Sequence, residues 1–259
     1  MLQQAEVLIR MISIFTYCSA RLIRAVSTAK KSADLRAIAR LREELRTTVY
    51  RDPTGPAKYA NHQLWFWRNA HRAARLGLHT QQTLRILDIG TGPGYFMAIA
   101  KALGHECVGL ECPEPLLSPL EQAVYSRLLD SLRCRSAVVR HRIEPFDPLP
   151  EIFTGFDLIT AFMVCFNRHR TPAEWGLAEW KFFIENAQTC LRPGGVVFLL
   201  LNDNAERFGK LRFYDQSTLR YFQSVGTVDG HRITIRKVSC PKDADATRAC
   251  PTASIPAPR

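Results

Sequence analysis

The stretch "ILDIGTGPGYF", residues 86–96, contains the feature that decides the fold: an apolar run ends in three alternating glycines, and residues of helical character follow. A strand, a glycine turn and a helix in this order are typical of an open α/β sheet, in which ligands bind beyond the carboxyl ends of the strands. A side chain at Gly90, Gly92 or Gly94 would block such a ligand or require an unfavourable positive φ. The loop is therefore predicted to hold a ligand against bare main chain.

From residue 84 onward, apolar or β-branched runs alternate with helical ones. Predicted strands cover residues 85–89, 106–110, 137–143, 156–163, 196–202 and 231–238, and predicted helices cover residues 95–103, 116–132, 174–191 and 216–224. This alternation predicts an α/β fold with a mostly parallel sheet and helices on both faces. The last predicted strand follows the turn Val228-Asp229-Gly230 instead of a crossover helix, which favours an antiparallel strand at an edge.

Three segments are predicted along the chain. Residues 1–57 form a helical N-terminal extension, whose second helix spans residues 32–50 with Ser32 or Asp34 as its cap and ends at the turn signal of residues 52–56. Residues 58–239 form the main domain, which begins with a helix over residues 58–78 that is rich in aromatic and basic side chains. Residues 240–259 are rich in Pro, Ala and Thr and are predicted to be disordered.

The start of the extension has the pattern of a basic amphipathic helix. At 100° per residue, one side carries apolar residues and the opposite side carries arginines: Leu8, Met11, Ile12, Phe15, Leu22, Ile23 and Val26 against Arg10, Arg21 and Arg24. Three interpretations remain open at this point. The helix packs on the protein or a partner chain, lies on a membrane surface, or belongs to a transit peptide, since residues 1–33 contain a single acid, Glu6.

Net charge, cysteine spacing and the length of apolar runs limit the partners and the cellular location that the chain suits. The formal charge of +11 and the pI near 9.5 suit an anionic partner such as nucleic acid or acidic lipid, although a solvated basic exterior has the same composition. The eight cysteines show no C-x-x-C spacing, which favours reduced thiols in an intracellular, cytoplasmic protein and predicts no metal site. No run approaches the roughly 18 uninterrupted apolar residues of a membrane span.

The glycine spacing discriminates between nucleotide ligands. A dinucleotide fingerprint, G-x-G-x-x-G, requires glycine at position 95, where this chain has Tyr95. This substitution argues against a nicotinamide-dependent reductase. A phosphate loop of the G-x-x-x-x-G-K-[ST] type is also missing. The loop is therefore suited to a nucleoside without a pyrophosphate.

Two acidic residues accompany the loop. Asp88, two residues before the first glycine, can accept hydrogen bonds from loop amides or, through water, bind an ammonium group of the ligand. Glu111 lies about 20 residues further on at the end of the second predicted strand, where a carboxylate can accept both hydroxyls of a ribose. An acid at this place favours a free ribose over a ribose 2′-phosphate.

Four motifs resemble those of class I S-adenosylmethionine-dependent methyltransferases. They are "LDIGTGPGYF" (residues 87–96), "VGLE" (108–111), "FDLITAF" (156–162) and "LRPGGVVFLLLN" (191–202), and the resemblance covers roughly residues 58–238. It implies a Rossmann-like sheet of seven strands with an antiparallel last strand, and S-adenosyl-L-methionine as the cofactor.

The resemblance also implies roles for individual residues. The loop of residues 90–94, with Thr91, would lie against the methionine and ribose portions, and Glu111 would bind the ribose. The remaining expected contacts are Cys112 beside the adenine, Ile143 near the adenine after the third strand, and Ala161 and Phe162 on the methyl-transfer side. Asp88 completes this set of expected cofactor-binding residues.

Methyl transfer needs no universal catalytic residue, because holding the acceptor in line with an activated methyl group can supply much of the rate. The segment "MVCFNRHRTPAEW", residues 163–175, lacks the Asn/Asp-Pro-Pro-Tyr element of enzymes that methylate amino groups of nucleic acids. Asn167 and His169 are candidates for orienting an acceptor, with a polar surface loop as the equally weighted alternative.

The acceptor is predicted to be a small molecule or a glycan or lipid. An RNA methyltransferase is the first alternative, supported by basic residues around the third strand: Arg133, Arg135, Arg140, His141 and Arg142. A non-catalytic cofactor-binding or scaffold protein with the same fold is the second, because no acceptor motif is recognisable.

Overall fold

The computed structural model describes residues 20–46, 55–113, 118–164, 175–201 and 214–237. A seven-stranded sheet has the order β3-β2-β1-β4-β5-β7-β6. Its strands are β1 (Arg85–Ile89), β2 (Glu106–Glu111), β3 (Val138–Arg140), β4 (Phe156–Phe162), β5 (Leu191–Leu200), β6 (Thr227–Asp229) and β7 (Arg232–Arg236). Strand β7 runs antiparallel to both of its neighbours, β5 and β6, and the other described strand pairs are parallel. The predicted Rossmann-like fold is confirmed.

Seven α-helices lie within the described residues. They are α1 (Ala20–Ser32), α2 (Leu35–Glu44), α3 (His62–Arg75), α4 (Tyr95–Ala102), α5 (Pro119–Ser131), α6 (Leu177–Cys190) and α7 (Gln216–Val225). Side-chain caps define several starts. Asp34 Oδ1 accepts from Ala37 N at 2.9 Å before α2, and Ser118 and Glu121 form a capping box at α5. The Asp34 cap was one of the two predicted from the sequence.

The sheet carries one apolar core on each face, because side chains alternate along every strand. Ile86 and Leu158 face a core built with α1 to α5. Leu87 and Ile159 face the opposite core, built with α6 and α7. The carboxyl ends of β1, β2 and β4 therefore form an edge between two packed helical layers.

Helix α1 packs against the body of the protein, which is the first of the three interpretations of the N-terminal pattern. Leu22 and Val26 are buried in the core that faces α3 and α4. Arg21, expected on the opposite side, donates hydrogen bonds to the carbonyls of Leu103 at 2.9 Å and Gln81 at 3.2 Å. Ile23, expected on the apolar side, is 42% exposed. The rest of the predicted amphipathic helix, before residue 20, lies outside the described residues.

The edge beyond β5 differs from the prediction. Two of the three residues of the turn predicted at 228–230 belong to strand β6, and β7 lies between β5 and β6 instead of at the edge. Strand β6 has three residues, two of them exposed, so it lacks the apolar run by which a strand is recognised. The arrangement makes β6 the edge strand.

Other boundaries differ from the prediction by a few residues, and two of them have a local cause. Helix α3 begins at residue 62, not 58, because Pro56–Ala60 form a 3-10 helix and Asn61 Oδ1 caps α3 by accepting from Leu64 N at 3.4 Å. Strand β5 begins at Leu191, five residues early, and an irregular register opposite Phe156 accommodates the Pro-Gly-Gly sequence. Within the described ranges, no helix is long and apolar enough to cross a membrane.

Candidate functional site

The loop after β1 is hydrogen-bonded to the end of β2. Gly90 N and Thr91 N both donate to Leu110 O, at 2.7 and 3.1 Å. A Cβ on Gly90 would lie 2.4 Å from Val164 Cγ2, so this glycine permits close packing against a residue two positions after β4. A Cβ on Gly94 would likewise lie 2.8 Å from Leu129 Cδ2. These two glycines are needed for the packing of the protein itself.

Gly92 differs from the other two glycines of the loop. Its φ of +54° requires the left-handed region, but an added Cβ would meet nothing closer than 4.0 Å. The atoms at that distance are Glu111 Oε2 and Tyr125 Cζ. Gly92 therefore leaves main chain bare beside a carboxylate and a phenol ring, as expected of a ligand cradle.

Glu111 is buried at the end of β2 and joins two backbone segments. Its Oε2 accepts from Gly92 N at 2.5 Å, and its Oε1 accepts from Cys112 N at 2.9 Å. Hydrogen bonds from backbone amides stabilise the ionised form of a carboxyl group. Since an ionised carboxylate can accept about four hydrogen bonds, both oxygens can also accept from neighbouring hydroxyls of a sugar.

Asp88 lies in β1, two residues before the first glycine of the loop, and is 2% exposed. Thr160 Oγ1, on β4, donates to Asp88 Oδ1 at 2.8 Å. Burial raises the pKa of Asp88 to about 6, while the hydroxyls of Thr160 and Thr91 and the charge of Arg72 act to lower it. Asp88 therefore changes its charge close to neutral pH.

Arg72, on α3, is a candidate site residue that was not predicted from the sequence. Its Cζ lies 4.6 Å from the centroid of the Phe162 ring, and its Nη1 donates to Asn69 Oδ1 at 2.9 Å. Burial lowers the pKa of Arg72 to about 10, and the nearby charge of Arg68 also lowers it. At neutral pH the side chain is a cation above the ends of β1 and β4. The sequence marks α3 as basic and aromatic but does not distinguish Arg72 from the other arginines of that helix.

Tyr59 and Tyr125 were also missed. Their ring centroids are 5.6 Å apart in an edge-to-face arrangement, and their hydroxyls interact with each other and with the charge of Glu111. Burial raises the pKa of both phenols. Tyr95, in the place of the third glycine of a dinucleotide fingerprint, donates its hydroxyl hydrogen to Tyr59 O at 2.9 Å. The two phenols thus form an aromatic wall beside Gly92 and Glu111.

The residues expected near the adenine lie beyond Glu111. Arg140 Nη1 donates to Cys112 O at 3.0 Å, which holds the backbone after β2 against β3. Ile143 is partly buried beside the core of the α6 and α7 face. These positions are at the carboxyl edge of β2 and β3, on the side of Glu111 away from β4.

Ala161 and Phe162, expected on the methyl-transfer side, point to opposite faces of β4. Ala161 is buried in the core with α6 and α7. Phe162 packs on the same face as Asp88, with its ring centroid 4.8 Å from that of Phe96 and beneath Arg72. Of the two side chains, Phe162 is the one that the structure brings next to Arg72.

Asn167 and His169, the candidates for orienting an acceptor, lie outside the described residues. Within the described ranges, no group of three or more His, Cys, Asp or Glu side chains could hold a metal ion. The described residues thus bring together bare main chain, a buried carboxylate, a second buried acid and a cation.

The chain matches a protein-family model described as a methyltransferase domain over residues 59–226, which is well over half of its length. No curated protein matches the chain.

Solved structures similar to the chain include two methyltransferases and the protein DesVI. The glycopeptide N-methyltransferase MtfA is 19% identical, with 51% of this chain and 55% of that chain covered and a TM-score of 0.36. DesVI of Streptomyces venezuelae is 15% identical, with 68% and 92% covered and a TM-score of 0.44. CalS10, an amino pentose methyltransferase from Micromonospora echinaspora solved with S-adenosylmethionine bound, is 23% identical, with 56% and 53% covered and a TM-score of 0.36. The chain thus spans about half the length of MtfA and of CalS10.

Proposed function

Because the chain belongs to the methyltransferase-domain family, we propose that the crevice at the carboxyl ends of β1, β2 and β4 binds S-adenosylmethionine. In this proposal the protein transfers the methyl group of that cofactor to a small-molecule, glycan or lipid acceptor. The residues that hold the cofactor are those predicted from the sequence: Asp88, Gly90, Thr91, Gly92, Gly94, Glu111, Cys112, Ile143, Ala161 and Phe162.

The position of Glu111 is the observation that carries the proposal. A buried carboxylate spans the amides of Gly92 and Cys112, at the place where the glycine loop exposes main chain. Two adjacent hydroxyls of a ribose can donate to such a carboxylate, and Gly92 places no side chain beside it. The residues present therefore fit the cofactor.

The protein contributes position and electrostatics to the reaction. The cofactor supplies a sulfonium whose methyl group is already activated for in-line displacement. The chain has to hold the acceptor in line and keep water out, and Phe162 and the Tyr59–Tyr125 wall supply apolar surface for this purpose. Asn167 and His169 stay the proposed acceptor-orienting groups.

A small-molecule, glycan or lipid acceptor is preferred to RNA for a structural reason. Helices α1 and α2 share the core of the sheet domain, so these parts of the extension do not form a separate nucleic-acid-binding module. Two basic residues near β3 are also engaged locally: Arg135 pairs with Asp130, and Arg142 pairs with Glu144 at 2.5 Å. Charges paired in this way contribute less to a groove for phosphates.

Calorimetry with S-adenosylhomocysteine tests the cofactor site. We expect micromolar binding to the wild-type protein and a loss of about 1.5–3 kcal/mol, roughly ten- to a hundredfold in Kd, for Glu111→Gln. The amide of glutamine cannot accept hydrogen bonds at both positions, so one backbone amide and one ribose hydroxyl lose their acceptor. Glu106→Gln is the matched control, because Glu106 is exposed at the start of the same strand.

Unchanged affinity in Glu111→Gln would contradict the assignment of the ribose site, and no binding by the wild-type protein would overturn the cofactor. The acceptor requires a second experiment. Transfer of a labelled methyl group into fractionated cell extract should label the small-molecule, glycan or lipid fraction. Label in RNA alone would contradict the proposed acceptor class.

A further inference from the structure

The outer side of helices α1 and α2 is strongly basic. Residues 20–46, which contain both helices, have eight basic side chains and three acidic ones. Leu22 and Ile38 are fully buried in the core, so the opposite side of each helix faces away from the sheet. The helical period places four exposed basic residues on these outer sides: Arg24 and Lys31 of α1, and Arg36 and Arg40 of α2.

The three acidic residues of this region are engaged elsewhere. Asp34 caps α2, and Glu44 pairs with Arg127 of α5. Glu43 pairs with Arg46 at 3.5 Å, within its own turn. In the part of the chain that the structure describes, none of the four outer basic side chains forms an ion pair. A surface with several like charges and no counter-charges has a positive potential that attracts an anionic partner.

The same region also presents apolar groups to an outside partner. Ile23 is 42% exposed and precedes Arg24 in the chain. The sequence that leads into α1 is apolar as well, because residues 7–18 contain a single charged residue, Arg10. That segment lies outside the described residues, and it ends two positions before the first residue of α1. An apolar segment that continues into a basic helix face is typical of a protein that binds the surface of a membrane.

We propose that the outer side of α1 and α2 docks on an anionic lipid bilayer. The basic side chains contact the phosphate-bearing head groups, and Ile23 contacts the boundary between head groups and acyl chains, with the apolar segment before α1 adding to this contact. A nucleic acid fits this surface less well, because its phosphates would leave Ile23 without an apolar partner. The proposal is independent of the proposed function, since it holds whether or not the crevice binds the cofactor.

Sedimentation of the full chain with lipid vesicles tests the proposal. The protein should bind vesicles of equal parts phosphatidylglycerol and phosphatidylcholine, and should bind vesicles of phosphatidylcholine alone at least about tenfold more weakly. The double variant Arg24→Gln, Arg36→Gln should bind the anionic vesicles about twentyfold more weakly, because each basic side chain near such a surface contributes roughly fivefold. Ile23→Ala should weaken binding about threefold, and this loss should persist at high salt because it concerns apolar contact.

The matched control is the double variant Lys181→Gln, Arg220→Gln, which removes the same net charge from exposed positions on α6 and α7, the helices of the other face of the sheet. It should bind the anionic vesicles like the wild-type protein, and the thermal midpoint of each variant reports whether it is folded. Equal losses in the two double variants would overturn the proposal, because net charge alone would then explain binding. So would a wild-type protein that does not bind the anionic vesicles, or one that binds an RNA oligonucleotide through Arg24 and Arg36 and leaves the vesicles in solution.

Discussion

All three loop glycines have a positive φ, but Gly90 and Gly94 meet a second constraint that Gly92 does not. The first two are required by Val164 and Leu129, which come from distant parts of the chain and leave no room for a Cβ. Gly92 has room for a Cβ and instead bares the amide that donates to Glu111. The spacing of the three glycines is visible in the sequence, but the division of their roles depends on which side chains the fold brings against each one.

Burial of the Asp88 carboxyl group lowers the stability of the folded protein once that group is ionised. Its pKa of about 6 lies above the usual value of a carboxyl group, so between about pH 4 and 6 the folded protein binds more protons than the unfolded chain. Its contribution to stability is therefore fully present below about pH 4 and is lost as the pH rises to 6. At neutral pH, above this pKa, Asp88 is mostly ionised in spite of its burial.

Asp88→Asn should stabilise the protein at pH 8 by up to about 3 kcal/mol in the free energy of unfolding, because a neutral amide needs no ionisation in the core. At pH 4 the variant and the wild-type protein should be equally stable. Urea denaturation at several pH values measures the difference. A variant less stable than the wild-type protein at pH 8 would contradict the assigned pKa, and Thr160→Val offers a comparison that removes the hydrogen bond but keeps the acid.

At the scale of elements, predictions succeeded where a signal is local. The strands β1 and β2, the helix α4 and the cap of α2 follow from apolar runs, glycines and a capping acid that lie next to each other in the sequence. Predictions were wrong where the signal is tertiary. Strand β6 is defined by its pairing with β7, and the early start of β5 depends on pairing between Leu191 and Phe156. Neither pairing leaves a pattern within its own segment.

His105, which follows α4, is hydrogen-bonded to two residues that precede β1, and its replacement is predicted to destabilise the protein. Its Nδ1 accepts from Leu84 N at 3.1 Å, and its Nε2–H donates to Leu78 O at 3.0 Å, so the ring is neutral and ties the end of α4 to the chain before β1. His105→Leu should lose about 2–4 kcal/mol at pH 8, because a buried amide and a buried carbonyl lose their partners. Urea denaturation measures this loss.

The pH dependence of the stability difference between the wild-type protein and His105→Leu follows from the pKa of His105. Burial lowers the pKa of His105, so its contribution is present above the unfolded value of about 6.5 and falls as the pH drops towards the lowered folded pKa. The advantage of the wild-type protein over His105→Leu should therefore shrink below pH 6.5. His79→Leu is the control, since His79 Nδ1 has no hydrogen-bond partner in the described structure. An advantage that grows on acidification would contradict this account.

At the scale of the whole molecule, the N-terminal extension is part of the core in its described portion. Leu22 and Ile38, from α1 and α2, are fully buried in the same apolar cluster as Ile86 of β1. The family model begins at residue 59, so these helices precede the matched region and still complete one face of the sheet. We expect the extension and the sheet domain to unfold together.

Two adjacent residues of α1 test this integration. Leu22→Ala should lower the free energy of unfolding by about 2–5 kcal/mol, because it leaves a cavity between α1 and the helices on the sheet. Ile23→Ala should change it by less than about 0.5 kcal/mol, because Ile23 is 42% exposed. Chemical denaturation followed by fluorescence of the buried tryptophans measures both. Equal, small effects would show that α1 is dispensable for the fold.

The sequence by itself determined the class of the fold, the glycine loop and the acid at the end of β2, because a strand end, a positive φ and a carboxylate some 20 residues later are local features of one chain segment. Only the tertiary structure decided that Arg72, Tyr59 and Tyr125 meet that loop and that α1 completes the core. These contacts depend on how each helix is rotated about its own axis and on where it crosses the sheet. Periodicity identifies the apolar side of a helix, whereas its partner is selected by the sum of many weak packing contacts with residues far away in the sequence.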